Sequence, residues 1–160
     1  MPMDSCNEHQ VSMEQLLPLI REQLSRGSRV RFFPRGTSML PMLRQGIDSV
    51  CLSPTPKKLK KYDLPLYRRP DGQFVMHRVI RVGEDYTCIG DNQFVQEPGV
   101  RHEQIIGLVT VFYRGEKEIP VSNMAYGIYC RLWHYSRPLR YLARRVLAKI
   151  RRHIRSKVHD

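Results

Sequence analysis

A serine, a histidine and two carboxylates follow one another in an order that could support acyl transfer. Ser38 lies in the segment Gly36-Thr37-Ser38-Met39-Leu40-Pro41, and His77 and the turn Gly90-Asp91-Asn92 follow it. A serine hydroxyl is a poor nucleophile at neutral pH, so it needs a base within hydrogen-bond reach. Histidine, whose pKa is ordinarily about 6.5, suits that task best. We therefore predict Ser38 as the nucleophile and His77 as its base.

The residues around His77 favour a neutral imidazole. The segment Phe74-Val75-Met76-His77-Arg78-Val79-Ile80 is apolar except for His77 and Arg78. Strand alternation would place Val75, His77 and Val79 on one face. Desolvation by apolar neighbours disfavours the charged imidazolium, so the ring would be ready to accept a proton.

The residues flanking Ser38 are the expected substrate and oxyanion contacts. Gly36 would let the backbone turn tightly beside a substrate carbonyl, and the Ser38 amide could donate to the oxyanion. We assign Thr37, Met39 and Pro41 to the same contact region. For Met39, a core position and a position in the pocket wall both remain open.

The three motifs together resemble the S24/S26 serine peptidase superfamily. Ser-x-Met-x-Pro, a basic residue followed by Arg-Val, and Gly-Asp-Asn occur in this order in signal peptidases and their relatives. In the bacterial enzymes and the self-cleaving repressors the base is a lysine, whereas the endoplasmic-reticulum type and its relatives have a histidine at that place. His77 resembles the second group. The resemblance covers about residues 30–114.

This resemblance implies a serine endopeptidase that cleaves an extended peptide or leader after small residues. It also implies a carboxylate that orients His77, and Glu97 and Asp91 are both candidates. Glu97 lies where the histidine-type relatives have an aspartate, while Asp91 belongs to the Gly-Asp-Asn turn. Some signal peptidases have a hydroxyl residue two positions before the nucleophile, and Gly36 cannot supply that group.

Composition indicates one folded unit with a basic appendage. The chain has 160 residues, of which 41% are hydrophobic, and a net charge of +12. Ten Lys or Arg residues but one acid, Asp160, follow Ile119. The four cysteines, Cys6, Cys51, Cys88 and Cys130, form no Cys-x-x-Cys pair, which argues against a zinc site and favours buried free thiols. We expect no metal and no cofactor.

The elements expected to position these residues are mainly β-strands with flanking helices. Ser12 and Gln15 predict a cap for a helix over 13–26, and Ser28–Pro34 reads as a strand. Short β-rich runs broken by turn residues predict a compact antiparallel, barrel-like sheet: 49–52, 64–67, 73–81, 86–89 and 105–113. We divide the chain into an N-terminal segment and helix (1–27), a peptidase domain (28–118) and a tail (119–160).

The tail is predicted to be a basic amphipathic helix interrupted at Pro138. Its apolar residues recur at steps of three or four and are surrounded by arginines and lysines: Leu139, Leu142, Val146, Ile150 and Ile154. Such a helix could bind an anionic membrane surface, nucleic acid or the domain itself. Nucleic acid is the less favoured partner, because no nucleic-acid-binding motif accompanies the charge.

Two other function classes remain open. One is a regulator that cleaves itself, and the other is a catalytically silent module whose tail binds lipid or nucleic acid. The first ten residues contain Asp4 and Glu8 and no apolar run, and no run of eighteen apolar residues occurs in the sequence, so we expect neither a secretory signal nor a transmembrane helix. We therefore expect a cytoplasmic protein that can associate peripherally with the inner face of the membrane.

Overall fold

The larger of two antiparallel sheets is built around one long strand. The computed structural model describes residues 12–158, with side chains as far as Arg152. The strands of this sheet are β1 (Val30–Phe32), β2 (Asp48–Ser53), β3 (Pro65–Arg68), β4 (Phe74–Met76), β8 (Ile105–Arg114) and β9 (Lys117–Pro120). Their order is β1-β2-β8-β3-β4, and β9 pairs with β8. Strands β1 and β4 are therefore the ends of the main ladder.

The smaller sheet has three strands in chain order. They are β5 (Arg78–Val82), β6 (Tyr86–Ile89) and β7 (Glu97–Val100). Only His77 separates β4 from β5. His77 therefore lies at the point where the chain passes from one sheet to the other.

Three helices flank the sheets: α1 (Met13–Ser25), α2 (Met124–Tyr135) and α3 (Arg137–Val158). The predicted cap of α1 is confirmed, because the Gln15 amide donates to Ser12 Oγ at 3.3 Å and the Ser12 amide donates to Gln15 Oε1 at 2.9 Å. Ile20 and Leu24 bury the inner face of α1 in the main core. That packing brings the helix alongside β1.

The mainly β fold with flanking helices is confirmed, but the expected barrel is not closed. Within residues 12–158 the strands form two separate sheets. The single strand predicted over 73–81 is wrong, since it splits at His77. Every residue from Met76 to Ile80 is buried, because this segment crosses between the sheets. The predicted shared face is seen for Val75 and Val79, which pack against one core cluster while Met76 packs in the other. Strands β7 and β9 were not predicted.

The region predicted as a tail contributes to the folded unit. The proposed boundary after residue 118 falls within β9, which pairs with β8. On α2, Tyr126 and Cys130 belong to the main core. The helical region is interrupted at Ser136 rather than at Pro138, which occupies the first turn of α3, where proline is tolerated.

Two further expectations concern the state of the cysteines and the presence of a membrane-spanning helix. Cys51, Cys88 and Cys130 are free and buried, as expected. Cys6 and the rest of residues 1–11 lie outside the described residues, as does the Ile154 side chain. In the described part of the chain, no helix combines the length and apolar character needed to cross a bilayer.

Candidate active site

Ser38 and His77 line the same cavity. Its volume is about 980 Å³, and α1, β1 and β4 contribute to its walls. Most other wall residues are apolar, among them Leu16, Ile20, Phe32, Phe33, Leu66 and Phe74. No hydrogen bond joins Ser38 to His77 among the described residues. Catalytic hydrogen bonds are often absent or poorly aligned until substrate binds, so a shared cavity without this bond is compatible with a catalytic pair.

The surroundings of His77 keep its ring neutral. The residue is only 2% exposed. Burial lowers the pKa of His77 to about 4, the nearby Arg69 guanidinium lowers it too, and Asp91 acts weakly in the opposite direction. At neutral pH the imidazole therefore carries no charge and has one ring nitrogen with a free lone pair.

Tyr67 and Glu97 determine which nitrogen of the His77 ring carries the proton. Glu97 forms an ion pair with Arg69 and accepts a hydrogen bond from the Tyr67 hydroxyl. An ionised carboxylate can only accept, so the Tyr67 proton points to Glu97 and its oxygen faces His77 Nδ1 at 3.4 Å. Nδ1 therefore carries the ring proton. Nε2 is then the nitrogen with the free lone pair.

Glu97 and Asp91 have different surroundings. Glu97 Oε1 lies 3.5 Å from His77 Nδ1. Asp91 instead binds Arg78 through both oxygens, at 2.8 and 2.7 Å, and accepts a hydrogen bond from Tyr129 at 3.1 Å. It makes no hydrogen bond to His77 in the part of the chain that the structure describes. Of the two candidates, Glu97 is the carboxylate beside the imidazole.

The Gly90-Asp91-Asn92 turn holds the backbone of the serine loop. The Asn92 amide donates to the Ser38 carbonyl at 2.8 Å, and Asn92 Nδ2 donates to the Thr37 carbonyl at 3.1 Å. A Cβ at position 90 would lie 2.7 Å from the Ser38 carbonyl oxygen, so the close approach requires glycine. The first and third sequence motifs thus meet through backbone contacts.

The predicted oxyanion and substrate residues are divided between the cavity and its surroundings. Gly36 and Met39 line the cavity, whereas Thr37 and Pro41 are not among its wall residues. Gly36 has a φ of 93°, and its N–H donates to Gln45 Oε1 at 2.8 Å. The Ser38 N–H donates no hydrogen bond within residues 12–158. Met39 is both in the core and in the cavity wall, so both of its predicted positions apply.

Sequence analysis missed Tyr67 and Arg69. Both flank the end of β3, and their contacts with Glu97 depend on β7, a strand that the sequence pattern did not predict. The run Tyr67-Arg68-Arg69 offers one signal, because alternation turns Tyr67 and Arg69 to the same face of a strand. Without the position of β7, that face has no assigned partner.

Neither a cluster of metal ligands among the described residues nor a similar known protein points to a function for this cavity. The described residues contain no group of three or more His, Cys, Asp or Glu side chains that could hold a metal ion. Comparison of the chain with protein-family models, curated proteins and solved structures finds no match. The features that indicate a function for this chain are therefore the geometry of the cavity and the three motifs.

Proposed function

We propose that this protein is a serine endopeptidase of the S24/S26 type. The observation that carries the proposal is the shared cavity of Ser38 and His77, with His77 Nδ1 held by Tyr67 and Glu97. A buried neutral imidazole with one fixed tautomer has its lone pair at Nε2. That arrangement fits a general base for a serine hydroxyl.

Each residue has a defined step in the proposed reaction. Ser38 Oγ attacks the substrate carbonyl while His77 Nε2 takes its proton, and the imidazolium then gives that proton to the leaving amine. Glu97 stabilises the transient positive charge, either directly or through Tyr67. The Ser38 N–H, which donates no hydrogen bond among the described residues, is the donor for the oxyanion. Water then hydrolyses the acyl-enzyme with His77 again as base.

The cavity also suggests how a substrate binds. Residues of both edge strands, β1 and β4, line it, and an exposed edge can pair with an extended peptide backbone. The family resemblance implies small residues at the cleaved bond. The apolar walls favour apolar side chains elsewhere in the same peptide.

The test is cleavage of a mixture of synthetic peptides, with new termini identified by mass spectrometry. We expect Ser38→Ala and His77→Ala each to lower cleavage by at least about a thousandfold, because the two residues act as a unit. Ser25→Ala, on the exposed side of α1, and His102→Ala are the matched controls and should cleave normally. Full activity in Ser38→Ala or His77→Ala would refute the proposal.

The other function classes have distinct outcomes in the same assay. New termini within this chain, and none in the peptides, would indicate a self-cleaving regulator. Correctly folded protein with no cleavage of either kind would indicate a silent binding module. We place the activity in the cytoplasm, a proposal supported by three buried free thiols, which persist in reducing compartments.

A further inference from the structure

Helices α2 and α3 direct rows of large apolar side chains away from the domain. The row on α2 consists of Met124, Ile128, Leu132 and Tyr135, and the row on α3 of Leu139, Leu142, Val146 and Ile150. All eight are exposed: Met124 is 80% exposed, Leu139 71% and Leu142 58%. Exposed apolar residues are common singly, but aligned rows on two consecutive helices indicate a surface that binds a partner.

The contacts of α3 with the domain fix which of its faces is free. Arg140 donates to the Asp91 carbonyl at 3.3 Å, and Arg144 donates to the Asn92 carbonyl at 3.3 Å. Tyr141, on the same side, lies against Phe94 with ring centroids 5.2 Å apart. At about 100° per residue, Leu142, Val146 and Leu139 fall on the opposite side of the helix. The apolar row is therefore not the docked face.

Cations border this row, and acids are missing from it. Arg145, Lys149 and Arg152 lie on one side of the α3 row by the same periodicity, and Ala143 and Leu147 lie on the other. Across residues 119–159 the sequence contains no Asp or Glu. The free face of α3 thus combines an apolar row with a positive flank, a combination that favours a surface that is apolar below and negative above.

We propose that the exposed face of α2 and α3 docks this protein on an anionic lipid bilayer. A second copy of the chain would bring a second positive flank close to the first, so charge repulsion opposes self-association through this face. Nucleic acid would match the cations but would leave the apolar rows in water. Lipid headgroups and acyl chains satisfy both features at once. This inference goes beyond the proposed peptidase activity and does not depend on it.

The test is flotation of the full-length protein with lipid vesicles. We expect binding to vesicles of phosphatidylglycerol mixed with phosphatidylcholine, little binding to pure phosphatidylcholine, and weaker binding as NaCl rises. Leu142→Glu places a carboxylate in the apolar row. Ala148→Glu makes the same change of charge on the opposite side of α3. The partition coefficient of Leu142→Glu should fall about tenfold below that of Ala148→Glu, since only the former removes a leucine that would insert into the bilayer.

Both substituted positions are exposed, so circular dichroism and thermal melting should match those of the unsubstituted protein. Equal binding to neutral and mixed vesicles, or equal loss in the two variants, would overturn the proposal. So would the absence of vesicle binding together with a dimer that Leu142→Glu dissociates, or with DNA binding that both variants weaken equally. None of these results depends on Ser38, so cleavage and membrane docking can fail separately.

Discussion

At the scale of single residues, the low proton affinity of His77 has a kinetic consequence. Burial is the main cause of its lowered pKa of about 4, with Arg69 as the second cause. A base must be unprotonated in the free enzyme, so activity is present above this pKa and is lost as pH falls through it. The acid limb of kcat/KM should therefore have its midpoint near pH 4 rather than near the ordinary histidine value of about 6.5.

Arg69→Gln should move this limb towards higher pH. The substitution removes a positive charge near His77 and releases Glu97 from its ion pair, and both changes favour the imidazolium. Arg68→Gln is the matched control, because Arg68 pairs with Glu14 and is not a wall residue of the cavity. The pH dependence of kcat/KM for the three proteins measures the shift. Identical limbs for Arg69→Gln and Arg68→Gln would contradict this account of the site.

At the scale of elements, the Gly90-Asp91-Asn92 turn holds the serine loop in place. A Cβ in Gly90→Ala would collide with the Ser38 carbonyl oxygen and displace the nucleophile. We expect kcat/KM to fall at least about tenfold while the fold is retained, since small displacements of a reacting group are costly. In Gly83→Ala the nearest atom would be 3.5 Å away, so that variant should behave like the unsubstituted protein. Equal activity of the two variants would show that the turn does not position Ser38.

Asp91 should contribute to stability through its ion pair with the buried Arg78. Removal of the Asp91 charge in Asp91→Asn leaves the buried Arg78 without its counter-ion, so the free energy of unfolding should fall by about 3–5 kcal/mol. Tyr129→Phe removes one hydrogen bond to Asp91 but keeps the ion pair, and it should cost about 1 kcal/mol. Urea denaturation measures both. Asp91→Asn with unchanged stability and no activity would instead assign Asp91 to the catalytic group.

For the whole molecule, α2 should unfold together with the sheets. The only tryptophan, Trp133, lies on α2, and its Nε1 donates to the Asp91 carbonyl at 2.7 Å. We expect tryptophan fluorescence and far-ultraviolet circular dichroism to give coincident urea transitions, as one cooperative unit requires. A fluorescence transition at clearly lower urea would mean that α2 belongs to a separate tail, as the division after residue 118 implied.

The sequence was most informative where one local pattern determines the structure. The capped helix α1, the strand Tyr86–Ile89 and the mainly β class follow from capping residues, alternation and turn residues. The pairing of Asp91 with Arg78 and the position of Tyr67 beside Glu97 depend instead on which strands become neighbours. That is set by the packing of the whole chain. Residue chemistry and the order of the motifs could therefore suggest Ser38 and His77 but could not choose between Asp91 and Glu97.

The most direct measurement of the central claim is covalent labelling of Ser38 by a fluorophosphonate, with intact mass and peptide mapping as readouts. A serine activated by a neutral imidazole should react to give a single adduct on Ser38, and His77→Ala should slow that reaction by at least about a hundredfold. Ser25→Ala should label at the unsubstituted rate. Labelling at another residue, or labelling of Ser38 that is indifferent to His77→Ala, would contradict the assignment of His77 as its base.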